Sequence, residues 1–203
     1  MSGFMQDLLT WPYVLRAGHS DNPAHGACAM DAVNWLVHGE HGDAPECACP
    51  VIRAYVIRGN DSMPDDVRQR LLPYLHRIAG SRSASHEGAR VRVLQLAALR
   101  VFAPRALDAA GLHDHAQRLR DLPDDVDMKA AAAAAERAAT WAAERAAAAA
   151  WAAERVWEDY FLVLDQVLNT GPQGEPWSTD AVDAGRTLFV AAGGVAGVGK
   201  ATA

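Results

Sequence analysis

The feature that most constrains this chain is a run of residues from about 127 to 169 whose first half is mostly alanine. Residues 130–153 contain no glycine and no proline. Alanine loses no side-chain entropy on entering a helix, so such a run favours one continuous α-helix. At ~1.5 Å per residue this helix would reach about 60 Å, longer than a small domain is wide. Other helices must therefore pack along it, or part of it must project.

Helical spacing gives the run two faces. Val156, Trp157, Tyr160, Phe161, Val163, Leu164, Val167 and Leu168 form an apolar ladder. Towards the N-terminus the ladder continues as Ala135, Ala138, Ala142, Ala146, Ala149 and Ala153, a surface that lets a second backbone come close. The opposite face carries Glu136, Arg137, Trp141, Glu144, Arg145, Trp151 and Arg155. Trp141–Arg145 and Trp151–Arg155 are i,i+4 pairs within the repeated string WAAER, each able to set a guanidinium over an indole for ~0.5–1 kcal/mol. Tryptophan and arginine are the residues most often found at binding hot spots. Trp141, Arg145, Trp151 and Arg155 are therefore the candidate partner-binding residues, against the alternative that both indoles pack beneath neighbouring helices.

Glycine and proline divide the rest into short helices. Helices are expected from about Gly26 to His38, stopped by Gly39, and from Pro50 to about Arg58. Ser62, Pro64, Asp65 and Asp66 read as a capped, acidic helix start, and Pro73 should kink or split the helix that ends at Gly80. A helix over residues 86–102 and two short ones broken at Gly111 follow. The expected fold is all-α: a helical N-terminal domain over residues 1–125, the long helix over 126–170 packed on it, and a short C-terminal segment with a Gly-rich tail over 171–203.

With 19 basic and 25 acidic side chains the net charge is −6, a poor match for a general nucleic-acid binder. Arg68, Arg70, Arg77, Arg82, Arg90 and Arg92 make a locally basic zone, diluted by Asp65, Asp66 and Glu87. No apolar run reaches the ~18 residues of a membrane span, and the first residues do not read as a signal peptide. Three cysteines make no even disulfide set, which fits a reducing cytoplasm.

Those cysteines supply the one metal candidate. Cys28, Cys47 and Cys49 with His41 (or His25) offer the thiolate and imidazole donors that zinc takes in a closed tetrahedral site. The spacing is not a familiar C-x2-C pattern, and the competing reading is a buried small Cys28 with two incidental loop thiols. His113 and His115 fall on different sides of a helix and do not chelate as a pair. The tail Gly194, Gly197, Gly199, Lys200 resembles a phosphate-binding loop, yet Ala201 stands where the magnesium-binding hydroxyl belongs. No H-E-x-x-H or G-x-S-x-G string is present, and no catalytic set is named.

The string CAMDAVNWL from Cys28, then Gly39-Glu40, then PECACPVI ending at Ile52, resembles the N-terminal signature of a family of bacteriophage and bacterial proteins. Residues 60–66 and 71–80 continue the likeness, and the Ala-rich segment is similar to the variable second half of such proteins. The resemblance implies a phage or mobile-element setting and carries no activity with it. In some relatives the second loop cysteine is replaced, which would remove Cys49 from a metal site. The reading that follows is a macromolecule-binding accessory protein, a phage-encoded modulator of a host protein, acting through the Trp/Arg/Glu face. Its partner would be a host or phage protein, with a homodimer left open. The alternative is a metal-dependent enzyme, or a metal-stabilised nucleic-acid-binding protein, built on Cys28, Cys47 and Cys49.

Overall fold

Helix is the regular structure of the described residues. The computed structural model describes residues 14–18, 26–38, 40–123, 125–127 and 153–174. Among these residues there is no strand, and the single extended pairing is an isolated bridge between Leu15 and Ala27. The chain forms two compact units: Met1–Glu87 with Leu168–Ala203, and Gly88–Val167.

The first unit holds α1 (Ala29–His38), α2 (Pro50–Ser62), α3 (Asp65–Arg68), a 3₁₀ turn (Gln69–Tyr74) and α4 (Leu75–Ala79). α1 packs on α2 and α4 and is buried around most of its circumference, including Met30, Val33, Trp35 and Leu36. Leu15, Ile52, Val56, Leu71, Leu75 and Ile78 complete an aliphatic core at 0–1 % exposure. Pro50 opens α2 at its first turn, where the missing N–H costs nothing. Pro73 acts as expected. It has no N–H to give and its ring crowds the carbonyl four residues back, so the chain tightens into the 3₁₀ turn that separates α3 from α4.

Ser62 does not cap the next helix. It is the last residue of α2, and its hydroxyl donates to Arg58 O at 2.9 Å. α2 runs beyond the expected stop at Arg58 because Asn60, fully buried, ties its last turn to two other segments. Ala29 N–H donates to Asn60 Oδ1 (3.2 Å), and Asn60 Nδ2 donates to Arg16 O (2.8 Å). Arg68, 4 % exposed, donates from Nε to Asn60 O (2.7 Å), from its terminal nitrogens to Met63 O, and to Asp65. A cation placed on carbonyls at a helix C-terminus also meets the negative end of the macrodipole. Gln69 completes the frame by bonding both Leu15 N–H and Leu15 O at 3.0 Å, as a neighbouring strand would.

The second unit begins within α5 (Ala84–Ala97), which passes through a π turn (Ala98–Phe102) into α6 (Ala103–Ala109). Pro104 follows directly, and the wider turn lets Ala103 N–H reach back to Ala98 O. α6 ends in a Schellman motif: Gly111 at φ +74°, Gly111 N–H to Asp108 O (2.9 Å) and Leu112 N–H to Leu107 O (2.8 Å). The chain then reverses into α7 (His113–Arg120), and Leu107, Ala116 and Leu119 form a cluster flanked by Ala103, Leu112 and Leu122. Arg92 donates to Val126 O and Arg100 to Leu122 O, fixing the exit from α7.

α8 (Ala153–Asn169) is the described part of the expected long helix; most of the alanine-rich run lies outside the described residues. Its ladder is buried as the spacing requires, with Tyr160, Phe161, Val163, Leu164, Val167 and Leu168 at 0–5 % exposure. Val156 and Trp157 are half-buried.

Candidate functional site

The cysteine–histidine region is built from both ends of α1 and from the loop before α2. Cys28 stands one residue before α1, and its sulfur accepts the Asp31 N–H at 3.3 Å, a thiol in the place of an N-cap oxygen. Asp31 is 2 % exposed. Its Oδ1 accepts Gly42 N–H at 2.8 Å and its Oδ2 lies 3.3 Å from His41 Nε2, so one buried carboxylate pins the 41–42 loop onto the helix. This is the residue that spacing alone missed. Its signal was faint: an acidic residue in a first turn, where any helix favours one, set in an otherwise apolar string.

Cys47 and Cys49 belong to a second group. Arg82 N–H donates to Cys47 O (3.1 Å), and Cys49 N–H donates to Ser81 Oγ (2.9 Å). The Ser81 hydroxyl in turn donates to Ile78 O (2.6 Å), satisfying a carbonyl at the end of α4. Cys49 is fully buried and Cys47, two residues before it, is half-buried.

Burial pushes the pKa of the Cys28 thiol up to about 11; the neighbouring Asp31 and Asp43 charges add to this, and backbone N–H groups offset part of it. Burial also raises Cys47. Without a cation beside them, both thiols therefore keep their protons near neutral pH, where a nucleophile needs the thiolate. Asp31 acts on Cys28 in both directions: its backbone N–H favours the thiolate and its carboxylate charge opposes it. The structure thus joins His41 and Cys28 through Asp31, and joins Cys47 and Cys49 to the turn after α4. Among the described residues, no group of three or more His, Cys, Asp or Glu side chains is placed to share a metal ion. His25 lies outside the described residues.

Trp141, Arg145 and Trp151 also lie outside the described residues, and of Arg155 only its place in the first turn of α8 is described. The outward side of α8 is visible further along. Leu162 is 63 % exposed, with Glu158 and Gln166 exposed one turn to either side. On the inward side the Tyr160 ring meets Trp157 and Phe161 edge-on, at 6.1 and 5.4 Å between centroids. Within the basic zone, Arg68 and Arg90 are buried. A helix face that needs those two guanidinium groups at a phosphate surface is therefore not formed. No helix among the described residues is long and apolar enough to cross a membrane.

Comparison with known proteins adds no relative: no family model matches the chain, and no curated protein or solved structure is significantly similar to it.

Proposed function

We propose that this protein works by binding another protein, through the outward face of α8 and the alanine-rich segment that leads into it. The observation that carries this reading is Leu162. A leucine 63 % exposed sits in the middle of a helix whose other side is buried at 0–5 %. Positions 155 and 151 precede it by about two and three turns at ~3.6 residues per turn, which puts all three in one register on the helical reading of the run. Trp151, Arg155, Glu158 and Leu162 then make an indole, a guanidinium, a carboxylate and an aliphatic group in line. That mixture is typical of a helix face laid into an apolar groove with a charged rim. The net charge of −6 makes nucleic acid a poorer partner for it than protein. The resemblance to phage and bacterial proteins directs the search to host and phage proteins.

The test uses the full chain immobilised as bait, with Leu162→Asp and the double variant Trp141→Ala, Trp151→Ala beside it. Retained proteins are identified by mass spectrometry, and self-association is measured by sedimentation equilibrium. We expect one retained partner, weakened by at least about tenfold in each variant, with helix content and thermal midpoint unchanged. Unfolding of the double variant would mean that the indoles are core. Equal retention by all three proteins would remove this face from binding.

A further inference from the structure

Two glycines in the first unit touch backbone to backbone. A methyl group on Gly80 would overlap Gly174 Cα, and one on Gly174 would overlap His76 O. No other residue type permits this crossing. It is made by residues 168–174, the end of α8 and the turn after it. Gly174 N–H donates to Arg77 O at 3.1 Å, and the Arg77 guanidinium bonds Gln173 and, at 3.0 Å, Asn169 Oδ1. The segment is thus laid across the end of α4 like a strap.

What the strap covers is the turn that holds the cysteine loop. Gly80 is followed by Ser81 and Arg82, and these two residues take Cys49 N–H on the Ser81 hydroxyl and give the Arg82 N–H to Cys47 O. The strap supports this turn at Gly80, and the loop hangs on its next two residues. Among the bonds that fasten the strap, those of the Arg77 guanidinium to Asn169 and Gln173 lie at the exposed surface. Segments held in this way open at a fraction of the free energy of global unfolding. We infer that residues 168–174 are an opening strap, and that its release frees the turn at residues 80–82 and exposes Cys49 while Cys28 stays covered. Cys28 is covered by other means, as the cap of α1 beside Asp31. This inference does not rest on the proposed partner face.

The experiment is pulsed alkylation of the full-length protein with N-ethylmaleimide, read at each cysteine by peptide mass spectrometry. Gly174→Ala forces a methyl group into the crossing; Gln173→Ala removes the bond from Arg77 and a longer one, at 3.4 Å, to Asn169 within the strap. In the native protein Cys49 should label faster than Cys28, although both are buried. Gly174→Ala should raise the Cys49 rate by at least about tenfold with Cys28 unchanged, and Gln173→Ala should raise it by about threefold to tenfold. If Gly174→Ala fails to fold, Gln173→Ala decides alone. An unchanged Cys49 rate, or Cys28 rising in step with Cys49, overturns the strap: the first means no coupling, the second means exposure through global unfolding.

Discussion

Asn60 in the first unit and Leu107 in the second are both buried, at 0 % and 2 % exposure, and they are held in opposite ways. Asn60 is enclosed by main-chain polar groups of Arg16 and Ala29, and its own carbonyl takes the Arg68 guanidinium. Leu107 is enclosed by Ala116, Leu119 and smaller flanking side chains. The same division recurs at other residues of each unit. In the first, Asp31, Asn60, Arg68 and Ser81 are buried and bonded to backbone, each fastening one segment to another. In the second, Arg90 is also buried, but the ion pairs lie at or near the surface, Arg105 with Asp159 and Asp108 with His113 and Arg120. Apolar packing degrades gradually when a methylene is removed, whereas a buried polar group that loses its partner carries its whole desolvation cost. The first unit should therefore be brittle and the second tolerant.

The sharpest way to break this contrast is Asn60→Ala. It strands the buried Ala29 N–H and takes a donor from the part-buried Arg16 carbonyl. We expect a loss of about 3 kcal/mol, from two orphaned groups at ~1–3 kcal/mol each with partial relaxation. Amide hydrogen exchange should show it as faster exchange through α1 and α2, with α6 and α7 hardly affected. Equal acceleration in α6 and α7 would mean that the two units do not unfold as separate bodies, and the contrast would lose its meaning.

A smaller effect is expected where the second unit relies on charge. Arg105 Nε donates to Asp159 Oδ2 at 2.6 Å with a terminal nitrogen on the same oxygen, joining α6 to α8. The side chains are 28 % and 17 % exposed, so the pair is only partly desolvated. A double-mutant cycle with Arg105→Ala and Asp159→Ala should give a coupling of about 1 kcal/mol, above the usual surface pair and well below the cost at Asn60. A coupling of about 3 kcal/mol or more would place this unit with the first.

The same contrast explains what could be read from the sequence. The ladder in α8 was legible because 3.6-residue spacing needs no knowledge of the partner: Tyr160, Phe161, Val163, Leu164, Val167 and Leu168 are buried whatever covers them. Pro73 and Gly111 were legible because their effects are local. Asn60, Asp31 and Arg68 were not, since a buried polar residue is explained only by a partner distant in sequence. Ser62 misled for a related reason. A serine before Pro-Asp-Asp has the composition of a cap, yet the frame around Asn60 carries α2 through that position. The π turn was hidden too. Pro104 predicts a helix start, and the structure instead widens the preceding turn to keep the helix running. At the candidate site, the i,i+2 cysteines were visible, and the Ser81 hydroxyl that fixes Cys49 was not.

The smallest effect should appear at Asp108, where the contrast can be sharpened by pH. Its carboxylate joins the two helices of the α6–α7 hairpin, bonding His113 Nδ1 at 3.0 Å and Arg120. Partial burial pushes its pKa up. The bonds and charges of Arg120 and His113 more than offset this and hold the carboxyl below its ordinary 3.8. A carboxylate depressed in the folded state stabilises that state above its unfolded pKa, and the contribution is lost as pH falls through the folded value. Asp108 is 34 % exposed, so solvent screens the gain to under about 1 kcal/mol. Asp108→Asn keeps the shape and removes the charge. It should loosen α6 and α7 amides slightly at pH 7 in low salt, less at high salt, and not at all once acid has protonated the native carboxyl. A difference that survives in acid would show that hydrogen-bond geometry, not charge, joins the hairpin. The second unit would then depend on polar fit as the first does.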